Sequence, residues 1–142
     1  SLAAFVGRWL AGEIELAPIT KLLGIRPVSL GPGEATIELT AGPHLHNAMG
    51  TVHGGVFGDL ADVAMGAALA TVADIGESFA TLHLDVNYFH AVLEGRLTAT
   101  AKVVRRGRGG SNTTAHMTCD LHDEQGRLVA RATSVAAISR RV

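Results

Sequence analysis

Residues 54 to 73, GGVFGDLADVAMGAALATVA, are apolar on nearly every side of a helical repeat, with only Asp59, Asp62 and Thr71 strongly polar. A helix that is hydrophobic all round is a buried helix. No apolar run of the chain reaches the roughly 20 residues of a membrane span. The remainder of the 142 residues must therefore wrap this helix.

The remainder reads largely as strands. Residues 34 to 40, EATIELT, alternate, with Ala35, Ile37 and Leu39 opposite Glu34, Thr36 and Glu38. Pro27 and the Gly31-Pro32-Gly33 turn bracket an earlier extended stretch. After the helix, extended segments are expected near 78 to 90, 94 to 105, 111 to 123 and 127 to 138. In several, one parity is apolar and small: Leu97, Ala99, Ala101 and Val103; Ala115, Met117, Cys119 and Leu121; Leu128, Ala130, Ala132 and Ala136. Small inward residues let a sheet curl closely around something thick. The DEQG turn at 123 to 126 predicts a hairpin, and RGRGGS at 106 to 111 predicts another. Residues 2 to 11 read as a short amphipathic helix ended by Gly12, residues 13 to 25 as irregular, and 41 to 52 as a loop. The expected class is α+β. One domain over residues 1 to 142 holds four late strands in a meander and a curled antiparallel sheet around one central helix, which is the hotdog architecture.

Composition narrows the function. The net charge of −1 argues against general nucleic-acid binding, which needs a strong basic field. An apolar fraction of 47% with only 18% charged residues points to an exterior partly covered by another subunit. Cys119 is the single cysteine, so no internal disulfide forms. With no legible leader or membrane segment, a cytoplasmic location is expected.

The segment that carries chemistry is HNAMGTVHGGVFGDLAD at 46 to 62. His46-Asn47, Gly50, His53-Gly54-Gly55, Leu60 and Asp62 stand in a pattern that resembles the hotdog acyl-CoA thioesterases of the phenylacetate-degradation (PaaI-like) type. The likeness runs over about residues 20 to 138. It includes Asn87-Tyr88, Gly95, the Arg106-Gly107-Arg108 turn and the closing Gly126-x-Leu-Val-Ala strand. A departure is the run Phe89-His90-Ala91, where relatives often carry a proline. The resemblance implies hydrolysis of an acyl-CoA or aryl-acyl-CoA thioester by a homodimer that assembles to a homotetramer. It implies no cofactor beyond the CoA of the substrate.

The residues also make sense on their own. Gly54 and Gly55 sit where a loop becomes a helix. There the backbone N–H groups lack internal partners and the helix dipole is positive, so a thioester carbonyl oxygen would be polarised. A tight helix start without chemistry is an equal reading. The resemblance gives the donor role to Gly54 and to the Asn47 side chain. Asp62 is a carboxylate among apolar residues, which is costly unless it is partnered or faces a functional cavity. The resemblance makes it the nucleophile or the general base on water. Asp59, one turn earlier, is read as a dipole-stabilised structural residue.

His53 orders the loop, donates a hydrogen bond or acts in acid–base work. Thr81 matches a Ser or Thr position that holds water in some relatives, but strand parity groups it with His83, Asp85 and Asn87, opposite Leu82, Leu84 and Val86. Arg105, Arg106 and Arg108 form the densest positive cluster, either a solvated turn or a site for CoA phosphates. Gly55, Arg106 and Arg108 are the candidate substrate contacts. The histidines, His44 and His46 two apart and His83 and His116 on separate strands, have no metal-site spacing, and no metal is expected.

Gly54 and Asp62 are eight positions apart, about 12 Å along a regular helix. Groups so far apart act on one carbonyl only if they come from different subunits. Two rival readings remain: a hotdog acyl-CoA dehydratase or hydratase, which needs a histidine working with a carboxylate, and a non-catalytic acyl-CoA binding protein.

Overall fold

The computed structural model describes residues 1–109 and 112–140. In chain order they form α1 (Leu2–Leu10), α2 (Pro18–Leu23), β1 (Arg26–Gly31), β2 (Glu34–Ala41), a single 3-10 turn (Pro43–Leu45), α3 (Gly54–Ala70), β3 (Glu77–Tyr88), β4 (Gly95–Arg106), β5 (Asn112–His122) and β6 (Leu128–Arg140). α3 is the apolar helix. It ends three residues earlier than the hydropathy predicts, because Thr71 caps it. The Thr71 hydroxyl donates to Ala68 O at 2.7 Å and accepts from Gly33 N–H at 2.8 Å. α2 lies in a stretch expected to be irregular. Pro18 in its first turn and Gly24 in the left-handed conformation just beyond it bound the helix. The Thr20 hydroxyl holds the start by accepting from Ala17 N–H at 3.1 Å.

All six strands join one antiparallel sheet in the order β1-β2-β4-β5-β6-β3. The small inward side chains pack on α3 as expected. Leu97, Ala99, Ala101, Ala115, Cys119, Leu121, Ala130, Ala132 and Ala136 are all buried with it. This is the hotdog fold.

The meander expectation needs correction. β4, β5 and β6 are consecutive neighbours, and the 123–126 turn closes the last hairpin through Asp123 N–H to Arg127 O and Gly126 N–H to Asp123 O. β3 instead pairs with β6 at the far edge of the sheet. The chain then crosses back through residues 89–94 to place β4 beside β2. FHAVLE has none of the two-residue turn chemistry that closes a hairpin, and its Val92 is buried. In the RGRGGS segment, Gly110 and Ser111 lie outside the described residues.

Two β-bulges redirect side chains. One lies in β4 between Val103 and Arg105, the other in β3 between Thr81 and His83. A bulge inserts one residue and swaps which parity faces inward. The first turns Arg106 inward. Its guanidinium donates to both carboxylate oxygens of Glu77, at 2.8 and 2.7 Å, and to Val72 O at 2.9 Å. Both side chains are nearly buried. The pair fastens the start of β3, the end of β4 and Val72, two residues beyond α3.

The Arg106 hydrogen bonds hold the Glu77 carboxyl at about 2, well below its ordinary 4.5. Stability from a depressed carboxylate is complete above the ordinary value and is lost as pH falls through the folded one. Glu77→Gln strands the Arg106 charge and is expected to cost about 3 kcal/mol at neutral pH. The gap from the parent protein in urea denaturation should close between pH 4.5 and 2. A gap that persists unchanged at pH 2 would show that the carboxylate charge contributes nothing.

Candidate functional site

Three places hold the residues singled out from the sequence. The first is the start of α3. Loop 42–53 is held by the His46 ring, 2.7 Å from Leu93 O, and by an isolated bridge between His46 and Val52. Asn47 orders the loop interior. Its Oδ1 accepts from Met49 N–H at 2.9 Å and Thr51 N–H at 3.2 Å, and its Nδ2 donates to Thr51 Oγ1 at 3.0 Å. The amide group carries a second hydrogen, still available to a ligand.

His53 is the N-cap of α3, with Nδ1 accepting from Gly55 N–H at 3.0 Å. Its ring lies over Gly55, where an added Cβ would come within 3.2 Å of Nδ1. Loop ordering is therefore what the structure shows of His53, and Gly55 N–H is occupied. Among the described residues, Gly54 N–H has no acceptor. Gly54 is glycine for a steric reason as well, since a Cβ there would meet the Tyr88 hydroxyl at 3.3 Å. Tyr88 Oη donates to Gly54 O at 2.6 Å, and its ring meets Phe57 edge to face at 5.5 Å. Partial burial pushes the Tyr88 phenol up from its ordinary pKa, which keeps the donor proton in place. Asn47, Gly54, Phe57, Tyr88 and His90 line one depression of about 340 Å³.

The second place is two turns further along α3. Asp62 is half-buried, and Thr81 Oγ1 donates to its Oδ1 at 2.9 Å. Strict alternation along β3 would set Thr81 opposite Leu84 and Val86. The bulge at Leu82 reverses that, so Phe79 and Thr81 before it share the helix-facing side with Leu84, Val86 and Tyr88 after it. The signal was present in the sequence as a switch of apolar parity across Leu82. Asp59 is exposed. Partial burial of its carboxylate, with Asp62 beside it, raises its pKa, and His53 opposes the shift. It makes no hydrogen bond comparable to that of Asp62 with Thr81.

The third place is the far end of α3. Asp74, Glu77, Arg106, Arg108, Thr113 and Arg140 surround a polar cavity of about 110 Å³. Arg106 is held by Glu77, whereas Arg108 is exposed and pairs with Asp74 at 2.6 Å. Among the described residues, no group of three or more His, Cys, Asp or Glu side chains is disposed to hold a metal ion, and no helix is long and apolar enough to cross a membrane.

The start of α3 thus offers donors for a developing oxyanion, and Asp62 with Thr81 offers an oriented carboxylate. The sequence expected these residue types in one site, but one chain keeps them apart. The sequence analysis missed the Tyr88 contact, although Tyr88 stood in plain view after Asn87.

Comparison with known proteins identifies the family. The chain is 25% identical over 123 residues to the 1,4-dihydroxy-2-naphthoyl-CoA hydrolase of Listeria monocytogenes, covering 87% of this chain and 97% of that one. Among solved structures, a conserved protein of Pseudomonas aeruginosa is 31% identical with a TM-score of 0.78, over 86% of this chain and 94% of that one. A phenylacetic acid degradation-related protein of Ralstonia eutropha is 28% identical with a TM-score of 0.80, over 94% and 98%. Residues 49–130 match the family described as the thioesterase superfamily. That span opens in the loop before α3 and runs into β6, so it contains Gly54, Asp62, Thr81 and Tyr88, and the chain belongs to the thioesterase superfamily.

Proposed function

We propose that this protein hydrolyses acyl-CoA or aryl-acyl-CoA thioesters to free acid and CoA, at a site shared between two copies of the chain. The observation that carries the reading is the division of the site into two halves. Gly54, Asn47 and Tyr88 stand at one end of β3, and Asp62 with Thr81 near the other. Between them, β3 is an edge strand with Leu82 64% exposed and Leu84 38% exposed. An edge strand of twelve residues presents a row of backbone groups that is a template for pairing with another strand. Two β3 edges paired antiparallel about a two-fold axis set the Thr81 end of one beside the Tyr88 end of the other. Each site then takes its oxyanion donors from one chain and its carboxylate from the partner. Association of such dimers into a tetramer belongs to the same proposal.

In this site the thioester carbonyl oxygen accepts from Gly54 N–H, with Asn47 adding a side-chain donor. Tyr88 holds the Gly54 peptide in place. Asp62, oriented by Thr81, either takes a proton from the attacking water or attacks the carbonyl carbon itself. The C–S bond breaks as the tetrahedral centre collapses, and the CoA thiolate leaves; this gives the free acid directly when water attacks, and an anhydride on Asp62 that a water then hydrolyses to the free acid when Asp62 attacks. No cofactor is required. The dehydratase reading needs a histidine acting with the carboxylate, and His53 spends Nδ1 on Gly55 N–H. A binding protein would have no use for the Asp62–Thr81 hydrogen bond. Of the two arginines proposed for CoA phosphates, Arg108 keeps an exposed guanidinium and Arg106 does not.

Release of free CoA from a panel of acyl-CoAs tests the activity. Asp62→Asn should lower kcat by at least about 100-fold while the oligomer persists, and an unchanged kcat would move the carboxylate role elsewhere. Composite assembly has its own test. Gly54→Val and Asp62→Asn chains, each inactive alone, should recover about one quarter of parental turnover when co-folded in equal amounts, because mixed dimers keep one intact site. No recovery would place both halves of the site on a single chain.

A further inference from the structure

Beyond Asp62 and Thr81 the structure opens an apolar groove of about 240 Å³ between α1, α3 and β3. Phe5 and Val6 of α1, Val63, Gly66 and Ala70 of α3, and Phe79 of β3 line it, and almost no polar surface enters it. Its position relative to the carboxylate is fixed twice. Gly66 is one helical turn beyond Asp62, at the spacing that puts two residues on one face. Phe79 is two strand residues from Thr81, on the same side of the strand and before the bulge. Helix and strand therefore both lead from the Asp62–Thr81 pair into the groove in the same direction.

Gly66 is the anomaly. It stands in the interior of α3, where glycine is the weakest ordinary helix former. An added Cβ would meet only Phe79 ring atoms, at 3.6 and 3.8 Å, which is ordinary contact. Its backbone does not need the positive φ that glycine permits. Alanine would fit and strengthen the helix, so neither packing nor backbone geometry calls for glycine here. What glycine leaves is room in the groove floor.

We infer that this groove receives the acyl chain of the substrate, with Gly66 setting its width beside Phe79 and Phe5 closing it from α1. This rests on the hydrolase reading above. The groove accepts a saturated chain and rejects a charged one, since nothing in its wall would pair with a charge. An acyl chain long enough to enter it gains apolar contact with the groove wall that an acetyl group lacks. α1, anchored through the buried Val6 and Trp9, is then a specificity element as well as a packing one.

The test is the ratio of kcat/KM for octanoyl-CoA to that for acetyl-CoA. Gly66→Ala should lower the ratio at least tenfold while raising Tm, so that lost activity is not lost folding. Phe5→Ala should shift the preference toward dodecanoyl-CoA. Leu22→Ser, on α2 and 76% exposed, is the control and should leave the ratio unchanged. Hydrolysis with an unaltered ratio in both groove variants would overturn the groove assignment alone. Failure of the parent protein to hydrolyse any acyl-CoA would instead sink the hydrolase reading, and the groove assignment with it.

Discussion

Everything in this structure follows from the need to bury all but one stripe of α3. Val56, Phe57, Leu60, Ala61, Ala64, Met65, Ala67, Ala68, Leu69 and Ala70 are buried and cover most of the helix circumference, while Gly55, Asp59, Asp62 and Gly66 lie on the one stripe that is not. One flat sheet covers only one face of a helix. Burial over so wide an arc needs a sheet that curls, and a sheet curls tightly only where its inward side chains are small. Ala99, Ala101, Ala115, Ala130, Ala132 and Ala136 are the answer to that need. The curl does not close into a barrel. β1 and β3 remain as edges, and β3 runs beside the polar positions of the helix.

That geometry accounts for how much of the molecule was legible beforehand. The helix and the inward parities were legible because they obey single periods, 3.6 and 2, over many residues. The position of β3 was not, because strand order is decided by which edge a crossover reaches, and no local residue pattern encodes that. Thr81 illustrates the same limit on a smaller scale. Alternation groups it with His83, Asp85 and Asn87, and that grouping fails because the strand turns over at Leu82, where one residue is inserted. Arg106 was recognised as part of a basic cluster. Its burial against Glu77 depends on a second bulge and on a carboxylate 29 positions away, so charge density in the sequence could not separate it from Arg108.

The candidate site is built from departures from good packing. A core optimised for stability would not place Asp62 in α3 or leave Gly54 N–H unanswered. Each departure has a partial compensation from a neighbouring element: Thr81 for Asp62, Tyr88 for the Gly54 peptide, His53 for Gly55 N–H. Two of the three come from β3, so the edge strand offered for pairing is also the strand that holds the chemistry in place. A change that frays β3 therefore disturbs both Asp62 and the Gly54 peptide.

A further consequence concerns when the site comes into being. α3 has seventeen residues and includes Gly54, Gly55, Gly58 and Gly66 with Asp59 and Asp62. Interior glycines weaken a helix by roughly 0.5–1 kcal/mol each relative to alanine, and aspartate is also a poor helix former. Isolated helices of about this length are marginal in water even with favourable composition. α3 therefore has no standing as a helix apart from the sheet that covers it. The glycine that presents its N–H, the aspartate that needs Thr81 and the glycine that floors the groove all weaken the element carrying them, and the alanine-lined sheet supplies the burial that offsets this. Wrapping of the helix and assembly of the site are consequently a single event, and no state of the chain holds a formed site on an unformed sheet.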